Sequence, residues 1–255
     1  MGERRTIFRL PHLRASGAWQ MSADAVLLDW CARGSNRLVF RTYDWDRPTL
    51  SLGRAEPFPE GWDEKAIRAE GVAVVRRPTG GDAVLHDEEL TFAIAASIPG
   101  LWDLSPRSFA DRAADALADA LGSVGLVASR VNSRVQGTVP GLSPGSHPCF
   151  ARVAPGEVQA SGFKVAGLAS RFTRSGALCH ASVPLTSRHK DVARFRRDGA
   201  RDRALLETHA RSVGELLALT PEVHALADRL ADAVATRFGA RLRWADLSAL
   251  GIEEP

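Results

Sequence analysis

Lysine is nearly absent from this chain of 255 residues, although lysine and arginine together number 33. It occurs only as Lys65, Lys164 and Lys190. A lysine amine can lose its proton inside a protein, whereas an arginine guanidinium effectively cannot. Because arginine supplies the positive charge elsewhere, each lysine is a candidate for chemistry, although Lys65 and Lys190 need no special role.

Cysteine is also rare, with 3 residues, an odd number that argues against a disulfide framework and is typical of a reducing compartment. A chain of this length buries enough apolar surface to fold without disulfides or metals. The 7 histidines are scattered and lack the spacing of metal ligands. We therefore predict a cytoplasmic protein without a metal site.

The sequence has no long apolar run and no block of like charge. Its longest apolar stretches, such as residues 92–98, are far too short to span a bilayer, and residues 1–10 lack the apolar core of a secretion signal. The 33 basic residues face 30 acidic ones, and the densest basic stretch, residues 188–203, is interrupted by aspartates. We expect a solvated helix or loop there, and no nucleic-acid or membrane partner. Since no apolar heptad stripe stands out, we expect a monomer.

Apolar periodicity predicts helices and strands in alternation along the chain. Helices are predicted at 21–31, 59–70 and 106–124, followed by a helical C-terminal part from about residue 204. Strands are predicted at 38–43, 49–52, 72–76, 82–86, 90–97, 163–172 and 177–185. The strands at 82–86 and 90–97 are expected to pair across a short turn. The pattern predicts an α+β fold in a single domain over residues 1–255.

Residues 132–148 are dominated by glycine, proline, serine and valine and match no regular element. Loops longer than about 12–15 residues are usually functional or disordered. We predict a mobile loop that becomes ordered with a ligand and leads directly into Cys149.

A double glycine, Gly80-Gly81, follows the predicted strand that ends near Arg76 and Arg77. Such a loop can present backbone N–H groups to an anion or a carbonyl oxygen, and His86 could orient a polar group nearby. The alternative is a tight hairpin between core strands. The loop is not a Walker A sequence, because no Gly-Lys-Ser/Thr follows at the required spacing.

Cys149 is the strongest candidate nucleophile. It follows a long loop, and because such loops are seldom fully buried, its thiol is expected to be accessible. The thiolate is the reactive form, and a nearby cation such as Lys164 or His147 lowers the pKa of a thiol. The alternative is a buried cysteine that acts as a small apolar residue, which suits Cys31 and Cys179. Cys179 stays a minor candidate, although strand alternation points it away from the neighbouring His180.

Lys164 lies in an apolar strand bounded by Gly162 and Gly167. Desolvation there lowers the pKa of an amine, which could then act as a base or donate to a carbonyl. The alternative is a lysine at the strand edge that reaches water.

Taken together, these segments resemble the biotin/lipoate protein ligase and lipoyl-transferase superfamily over residues 21–185. Residues 21–28 are similar to its opening helix, 38–53 to its first hairpin, and 76–95 to its signature segment. The resemblance implies a mixed β-sheet core with flanking helices, of the biotin/lipoate protein ligase catalytic-domain type. It also implies a groove for an acyl chain beside the glycine loop.

Within this superfamily the chain is most similar to the cysteine-dependent octanoyltransferases. Cys149-Phe150 matches their catalytic Cys-Phe, and Lys164 lies in their Gly-x-Lys-x-x-Gly strand. The resemblance implies transfer of an octanoyl or lipoyl group from acyl carrier protein, through a Cys149 thioester, to a lysine of a lipoyl-domain protein. Such an acceptor is glycine cleavage H protein or a 2-oxoacid dehydrogenase E2 subunit, and no cofactor is implied. The implied substrate-binding residues are Arg76, Arg77, Thr79, Gly80, Gly81, His86 and Gly167.

Two alternatives remain open from the sequence. One is an ATP-dependent lipoate–protein ligase, in which Lys164 binds the adenylate. Asp82 argues against it, because the family usually has glycine or a basic residue there and a carboxylate repels a phosphate. The other is a non-catalytic protein that only binds acylated or lipoyl-bearing proteins.

Overall fold

A computed structural model describes residues 5–98, 104–132 and 147–255 of the chain. The helices are α1 (Gly17–Ala32), α2 (Glu64–Ala69), α3 (Pro106–Ser123), α4 (Gly199–His209), α5 (Val213–Leu217) and α6 (Val223–Phe238). Short 3-10 helices cover Cys149–Ala151, Ser187–Phe195 and Ser248–Leu250. The strands are β1 (Arg5–Arg9), β2 (Leu13–Ala15), β3 (Leu38–Trp45), β4 (Thr49–Leu52), β5 (Ala73–Arg76), β6 (Val84–His86), β7 (Glu89–Ser97), β8 (Ala128–Arg130), β9 (Val158–Ala160), β10 (Phe163–Phe172), β11 (Gly176–Pro184) and β12 (Ala240–Trp244).

The predicted mobile loop at 132–148 falls mainly on residues 133–146, which lie outside the described residues. Its mobility therefore stays a prediction.

Within these ranges the strands form a nine-stranded sheet and a three-stranded sheet. The large sheet has the order β12-β1-β3-β7-β11-β10-β9-β8, with β2 paired to β3. Strand β1 pairs in parallel with β12 and β3, whereas β3, β7, β11 and β10 are antiparallel neighbours. The large sheet is therefore mixed.

Strand β7 lies near the middle of this sheet and is buried along its whole length. Side chains of a strand point alternately to its two faces. Phe92 and Ile94 pack into the cluster that contains α3 and α6, whereas Ala93 and Ala95 pack into the cluster that contains α1. Helices thus cover both faces, and each large apolar side chain that they bury contributes about 1.5–3 kcal/mol.

The small sheet has the order β5-β4-β6. Its core includes Leu50 and Leu85 from the strands, Trp62 and Ile67 from the α2 region, and Phe150. The residue that follows Cys149 is therefore anchored in the core of the small sheet.

Two predicted strand pairings are wrong. Strand β6 pairs with β4 in the small sheet, whereas β7 pairs with β3 and β11 in the large one. The predicted strands at 38–43 and 49–52 both form, but they join different sheets and make no hairpin. The physical reason is that β7 is apolar on both faces and takes a central position with a partner on either side.

The first residue of a helix differs from the prediction where a capping residue sets the start of the helix. Helix α1 begins at Gly17 because the Ser16 hydroxyl accepts a hydrogen bond from the Trp19 N–H. Helix α2 begins only at Glu64, because Asp63 caps it. Gly61, at φ +80°, keeps the residues before it out of the helix.

The C-terminal part is helical from about residue 204, as predicted, but a strand that was not predicted follows the last helix. After α6 the chain returns as β12 and pairs in parallel with β1 at the sheet edge.

The basic stretch at residues 188–203 is more buried than expected, since Lys190 is 1% exposed. Its ammonium lies 2.9 Å from Glu207 and 2.8 Å from Glu215.

Among the helices of the described residues, none is long and apolar enough to cross a membrane. The mixed sheet with helices on both faces agrees with the predicted α+β class.

Candidate active site

A cavity of about 200 Å³ lies between the two sheets. Strands β3, β4, β6, β7, β10 and β11 contribute residues to its wall. The apolar part of the wall is formed by Met21, Tyr43, Trp45, Val84, Leu168 and Ala181. The polar part is formed by Ser51, Arg77, Asp82, His86, Thr91, Cys149, Arg152, Glu157, His180 and Ser182. A ligand with an apolar part and one polar end suits such a wall.

Cys149 opens a short 3-10 helix at this cavity. Its backbone N–H donates to the Ala83 carbonyl at 3.0 Å, which ties the cysteine to the segment after the glycine loop. Its side chain lines the cavity and is partly exposed. The thiol is therefore accessible to a substrate.

Lys164 lies on β10, at a bulge in the pairing with β9, and is fully buried. Its Nζ lies 3.4 Å from Cys149 Sγ, 2.7 Å from the Cys149 carbonyl oxygen and 2.5 Å from Glu157 Oε1. The same nitrogen lies 4.8 Å from the centre of the Phe150 ring. The two residues that sequence analysis placed at the centre of the chemistry are thus in contact.

The protonation of this pair differs from the expectation. Burial raises the pKa of the Cys149 thiol above its ordinary value, and the neighbouring Lys164 only partly offsets that. Burial lowers the pKa of Lys164, but Cys149 and Glu157 outweigh it, so the pKa is raised. The expectations of a lowered pKa for both groups are therefore wrong.

His147, the other cation considered for Cys149, has a different neighbour. Its Nδ1 lies 3.6 Å from the Asp82 carboxylate and 3.2 Å from the Pro148 carbonyl oxygen.

Gly167 lines the cavity beside the thiol. A Cβ at this position would lie 3.4 Å from Cys149 Sγ and 3.5 Å from Lys164 Cε. The glycine keeps open the space next to the thiol, where a substrate carbonyl must approach.

Arg77 organises the glycine loop. Its guanidinium donates to the carbonyl oxygens of Gly80 at 2.8 Å, Asp82 at 2.8 Å and Ser51 at 2.9 Å. Gly81 adopts φ +93° and lines the cavity. A Cβ on Gly53 would lie only 1.9 Å from the Gly81 carbonyl oxygen, so this close approach requires glycine.

Three of the predicted substrate-binding residues lie outside the cavity wall. Arg76 is exposed and donates to the carbonyl oxygens of Gly53 and Glu56. Gly80 is exposed, and its carbonyl accepts from Arg77. Thr79 is buried, with its hydroxyl 2.6 Å from His180 Nε2. Arg77, Gly81, His86 and Gly167 do line the cavity.

His86 belongs to a polar group in the wall that contains a buried carboxylate. Its Nδ1 lies 2.8 Å from Glu89 Oε1 and its Nε2 lies 2.7 Å from the Ser51 hydroxyl. The Ser182 hydroxyl donates to the other Glu89 oxygen at 2.5 Å. Burial opposes ionisation of Glu89, but His86 and the hydroxyls outweigh it, and its pKa is lowered.

A second polar group, which sequence analysis missed, holds His180. Its Nδ1 lies 3.1 Å from Asp24 Oδ2, and Asp24 also accepts from Arg41 at 2.7 Å. Burial opposes ionisation of Asp24, but Arg41 and His180 outweigh it, so the pKa of its carboxyl is lowered. Burial lowers the pKa of His180, which favours the neutral ring. The available signal was the pair of polar residues Gln20 and Asp24 on the buried face of α1.

The other two cysteines are inaccessible. Cys31 and Cys179 are both 0% exposed, and burial raises the pKa of Cys179 to about 11 and that of Cys31 to about 12. His180, beside Cys179 in the chain, points into the cavity wall, as strand alternation predicted. Over the part of the chain that the structure describes, no group of three or more His, Cys, Asp or Glu side chains could hold a metal ion.

A partly exposed thiol in contact with a buried lysine, at an apolar cavity between two sheets, is an arrangement suited to acyl transfer. Residues 16–235 match the family described as the lipoyl protein ligase A/B catalytic domain, and the chain belongs to this family. Over 250 residues it is 32% identical to the octanoyltransferase LipM of Kyrpidia tusciae, covering 95% of this chain and 91% of the relative. The predicted family is thereby confirmed, and the relative bears the activity predicted from the sequence.

Solved structures agree on the fold. The crystal structure of lipoate-protein ligase A bound with ATP has a TM-score of 0.72 and 20% identity, covering 95% of this chain and 92% of that one. A bipartite lipoate protein ligase of Thermoplasma acidophilum, solved with its E2 lipoyl domain, has a TM-score of 0.70 and 17% identity, covering 97% and 90%. The predicted lipoate protein ligase type of fold is confirmed.

Proposed function

We propose that the protein is an octanoyltransferase. It moves an octanoyl or lipoyl group from acyl carrier protein, through a thioester on Cys149, to a lysine of a lipoyl-domain protein. The single observation that carries the proposal is the 3.4 Å contact between Cys149 Sγ and Lys164 Nζ at the wall of an apolar cavity.

In the first half-reaction the Cys149 sulfur attacks the donor thioester. The bond from Sγ to the acyl carbon forms, and the bond from that carbon to the donor sulfur breaks. The leaving sulfur takes a proton from the Lys164 ammonium, and Lys164 takes the proton that leaves Cys149. Backbone N–H groups near Gly81 stabilise the developing oxyanion, an effect worth about 2.7–4 kcal/mol per donor in well-formed sites.

In the second half-reaction the neutral amine of the acceptor lysine attacks the Cys149 thioester. A carbon–nitrogen bond forms, the carbon–sulfur bond breaks, and the proton lost by the amine returns to Cys149 through Lys164. No ATP is consumed, because a thioester is already activated.

The proposed acceptor is a lipoyl-domain protein such as glycine cleavage H protein or a 2-oxoacid dehydrogenase E2 subunit. The Thermoplasma acidophilum ligase of similar fold was solved with its E2 lipoyl domain, which supports this class of acceptor. The free thiols of Cys31, Cys149 and Cys179 support the proposal that the reaction takes place in the cytoplasm.

Asp82 argues against the ATP-dependent ligase. Its carboxylate lines the cavity, and Arg152 approaches it at 3.5 Å. An adenylate phosphate in this cavity would face that carboxylate and be repelled by it.

The test is intact-mass analysis after mixing the protein with octanoyl-acyl carrier protein. We expect an increase of one octanoyl group, absent in Cys149→Ser and independent of ATP. Full activity of Cys149→Ala together with an ATP requirement would establish the ligase instead. Binding of the donor without an adduct or turnover would establish a non-catalytic acyl-protein binder.

A further inference from the structure

Glu157 continues the line of polar contacts that begins at the Cys149 thiol. Its Oε1 lies 2.5 Å from Lys164 Nζ, and its Oε2 accepts from the Ala154 N–H at 2.7 Å. Its own backbone carbonyl accepts from the Val131 N–H at 2.8 Å. Both oxygens of the carboxylate are thus engaged, and the side chain is fixed.

The contacts of Lys164 indicate which protonation state this site holds. The nitrogen has three acceptors within reach: Glu157 Oε1, the Cys149 carbonyl oxygen and Cys149 Sγ. An ammonium has three N–H donors, whereas a neutral amine has two. The geometry therefore fits an ammonium paired with a carboxylate.

The pairing of Lys164 with Glu157 changes the effect of Lys164 on the pKa of the Cys149 thiol. A lone ammonium at 3.4 Å would favour the thiolate strongly. The Glu157 carboxylate, 2.5 Å from the same nitrogen, offsets part of that charge as the sulfur experiences it.

The other charges that face Cys149 come from the glycine loop and the short 3-10 helix. Arg77 directs its guanidinium at backbone carbonyls, and Asp82 lies 3.5 Å from Arg152 and 3.6 Å from His147. Glu157 is the carboxylate that contacts the Lys164 ammonium, so it is the group positioned to set the charge that Lys164 presents to the sulfur.

We propose that Glu157 is a positioning residue that holds Lys164 as an ammonium against Cys149 and keeps the resting cysteine a neutral thiol. The inference rests on the proposed function, in which Cys149 is the nucleophile. The thiol then gives up its proton only when the leaving group of a bound donor takes one from Lys164. Such a cysteine reacts slowly with free electrophiles and quickly with its own substrate.

The test is the rate of Cys149 alkylation by iodoacetamide as a function of pH, measured on the full chain. For the wild type we expect a midpoint above the ordinary thiol value of about 8.5. In Glu157→Gln the sulfur becomes the anionic partner of the Lys164 ammonium, so we expect the midpoint to fall by about one pH unit and the rate at neutral pH to rise about tenfold. Glu157→Asp should restore the wild-type midpoint.

Two controls separate this role from a structural one. Glu207→Gln removes a carboxylate from another buried lysine, Lys190, and should leave the midpoint unchanged. In a Lys164→Met background, Glu157→Gln should have little further effect, because burial keeps an unpaired Glu157 carboxyl protonated and uncharged.

A midpoint that stays the same or rises in Glu157→Gln, with the melting temperature preserved, overturns the proposal. A wild-type midpoint below about 8.5 overturns it as well, and this measurement needs no variant to fold. Alkylation uses no acyl donor, so the outcome is independent of the octanoyl adduct. If the octanoyl adduct forms but the alkylation midpoint does not fall in Glu157→Gln, only the role of Glu157 is rejected. If the midpoint falls but no octanoyl adduct forms, only the octanoyltransferase function is rejected.

Discussion

The ring of His86 stacks on the indole of Trp45, with the ring centres 4.0 Å apart and the planes 15° from parallel. Both residues line the cavity and are almost fully buried. The Trp45 Nε1–H donates to the Thr91 hydroxyl at 2.9 Å, which fixes the indole in the wall. This pair therefore forms a rigid boundary for a bound acyl chain.

Trp45→Ala is expected to change the preferred chain length. Each buried methylene contributes about 0.8 kcal/mol, so two additional methylenes in the enlarged cavity favour a decanoyl over an octanoyl donor by about tenfold. The measurement is the ratio of kcat/KM for the two donors. Trp45→Phe, which keeps an aromatic ring in the stack, is the control, and an unchanged ratio in Trp45→Ala would show that this wall does not limit the chain.

Lys164→Arg is expected to lower the rate of acyl transfer by at least about a hundredfold, because a guanidinium cannot give up a proton. The larger side chain in a fully buried position should also cost about 1–3 kcal/mol of stability. Single-turnover transfer and urea unfolding measure the two effects. The matched control is Lys65→Arg, on an exposed helix position. Near-normal transfer in Lys164→Arg would remove Lys164 from the mechanism.

Gly167→Ala is expected to fold normally and to transfer slowly. The added Cβ meets Cys149 Sγ at 3.4 Å, which is an ordinary contact, yet it occupies the space of the substrate carbonyl. We expect a loss of about tenfold or more in acyl-enzyme formation, a rise in the barrier of about 1.4 kcal/mol. Thermal melting checks the fold, and unchanged acylation would place the carbonyl elsewhere.

Phe109→Ala tests the packing of the helical layer on the sheet. Phe109 is 0% exposed and meets the rings of Phe238 at 5.8 Å and Phe172 at 6.4 Å between centres. Its truncation should lower the free energy of unfolding by about 3–5 kcal/mol. Val127→Ala, at an 89% exposed position, should change it little, and similar losses for the two would contradict this core.

Stability should fall as the pH drops below 6.5, in part through His189. Burial lowers the pKa of His189 from 6.5 to about 4, so the unfolded chain binds this proton first as the pH falls. The contribution of His189 to the free energy of unfolding is fully present above pH 6.5. It is lost as the pH falls towards 4, at about 1.4 kcal/mol per pH unit. Urea unfolding at several pH values should show a shallower dependence in His189→Gln, and equal slopes would contradict the assignment.

Local patterns in the sequence predicted much of the fold. The strand at 163–172 and the helix at 106–124 were placed within one residue, because their alternation and periodicity are unbroken. Strand β1 and the edge strand β12 were missed, because each is short and lies partly in solvent. Strand pairing was mispredicted around residue 88, where the chain passes between sheets.

The candidate site was predictable only in part. Cys149, Lys164 and the glycine loop carry local signals, and the structure brings them to one cavity. Asp24 and His180 lie 156 positions apart in the chain, and their contact depends on how α1 packs on the sheet. Glu157 lies close to Lys164 in the chain, but a carboxylate after a turn carries no sign that it points inward.

The burial of Cys31 and Cys179 leaves Cys149 as the one cysteine that reagents can reach in the folded protein. The moles of label bound per mole of native chain therefore count the accessible Cys149 thiols in a preparation directly. The same selectivity allows a fluorophore or spin label to be attached at the wall of the cavity without any engineered cysteine, so that the arrival of a carrier protein can be followed in the unmodified sequence.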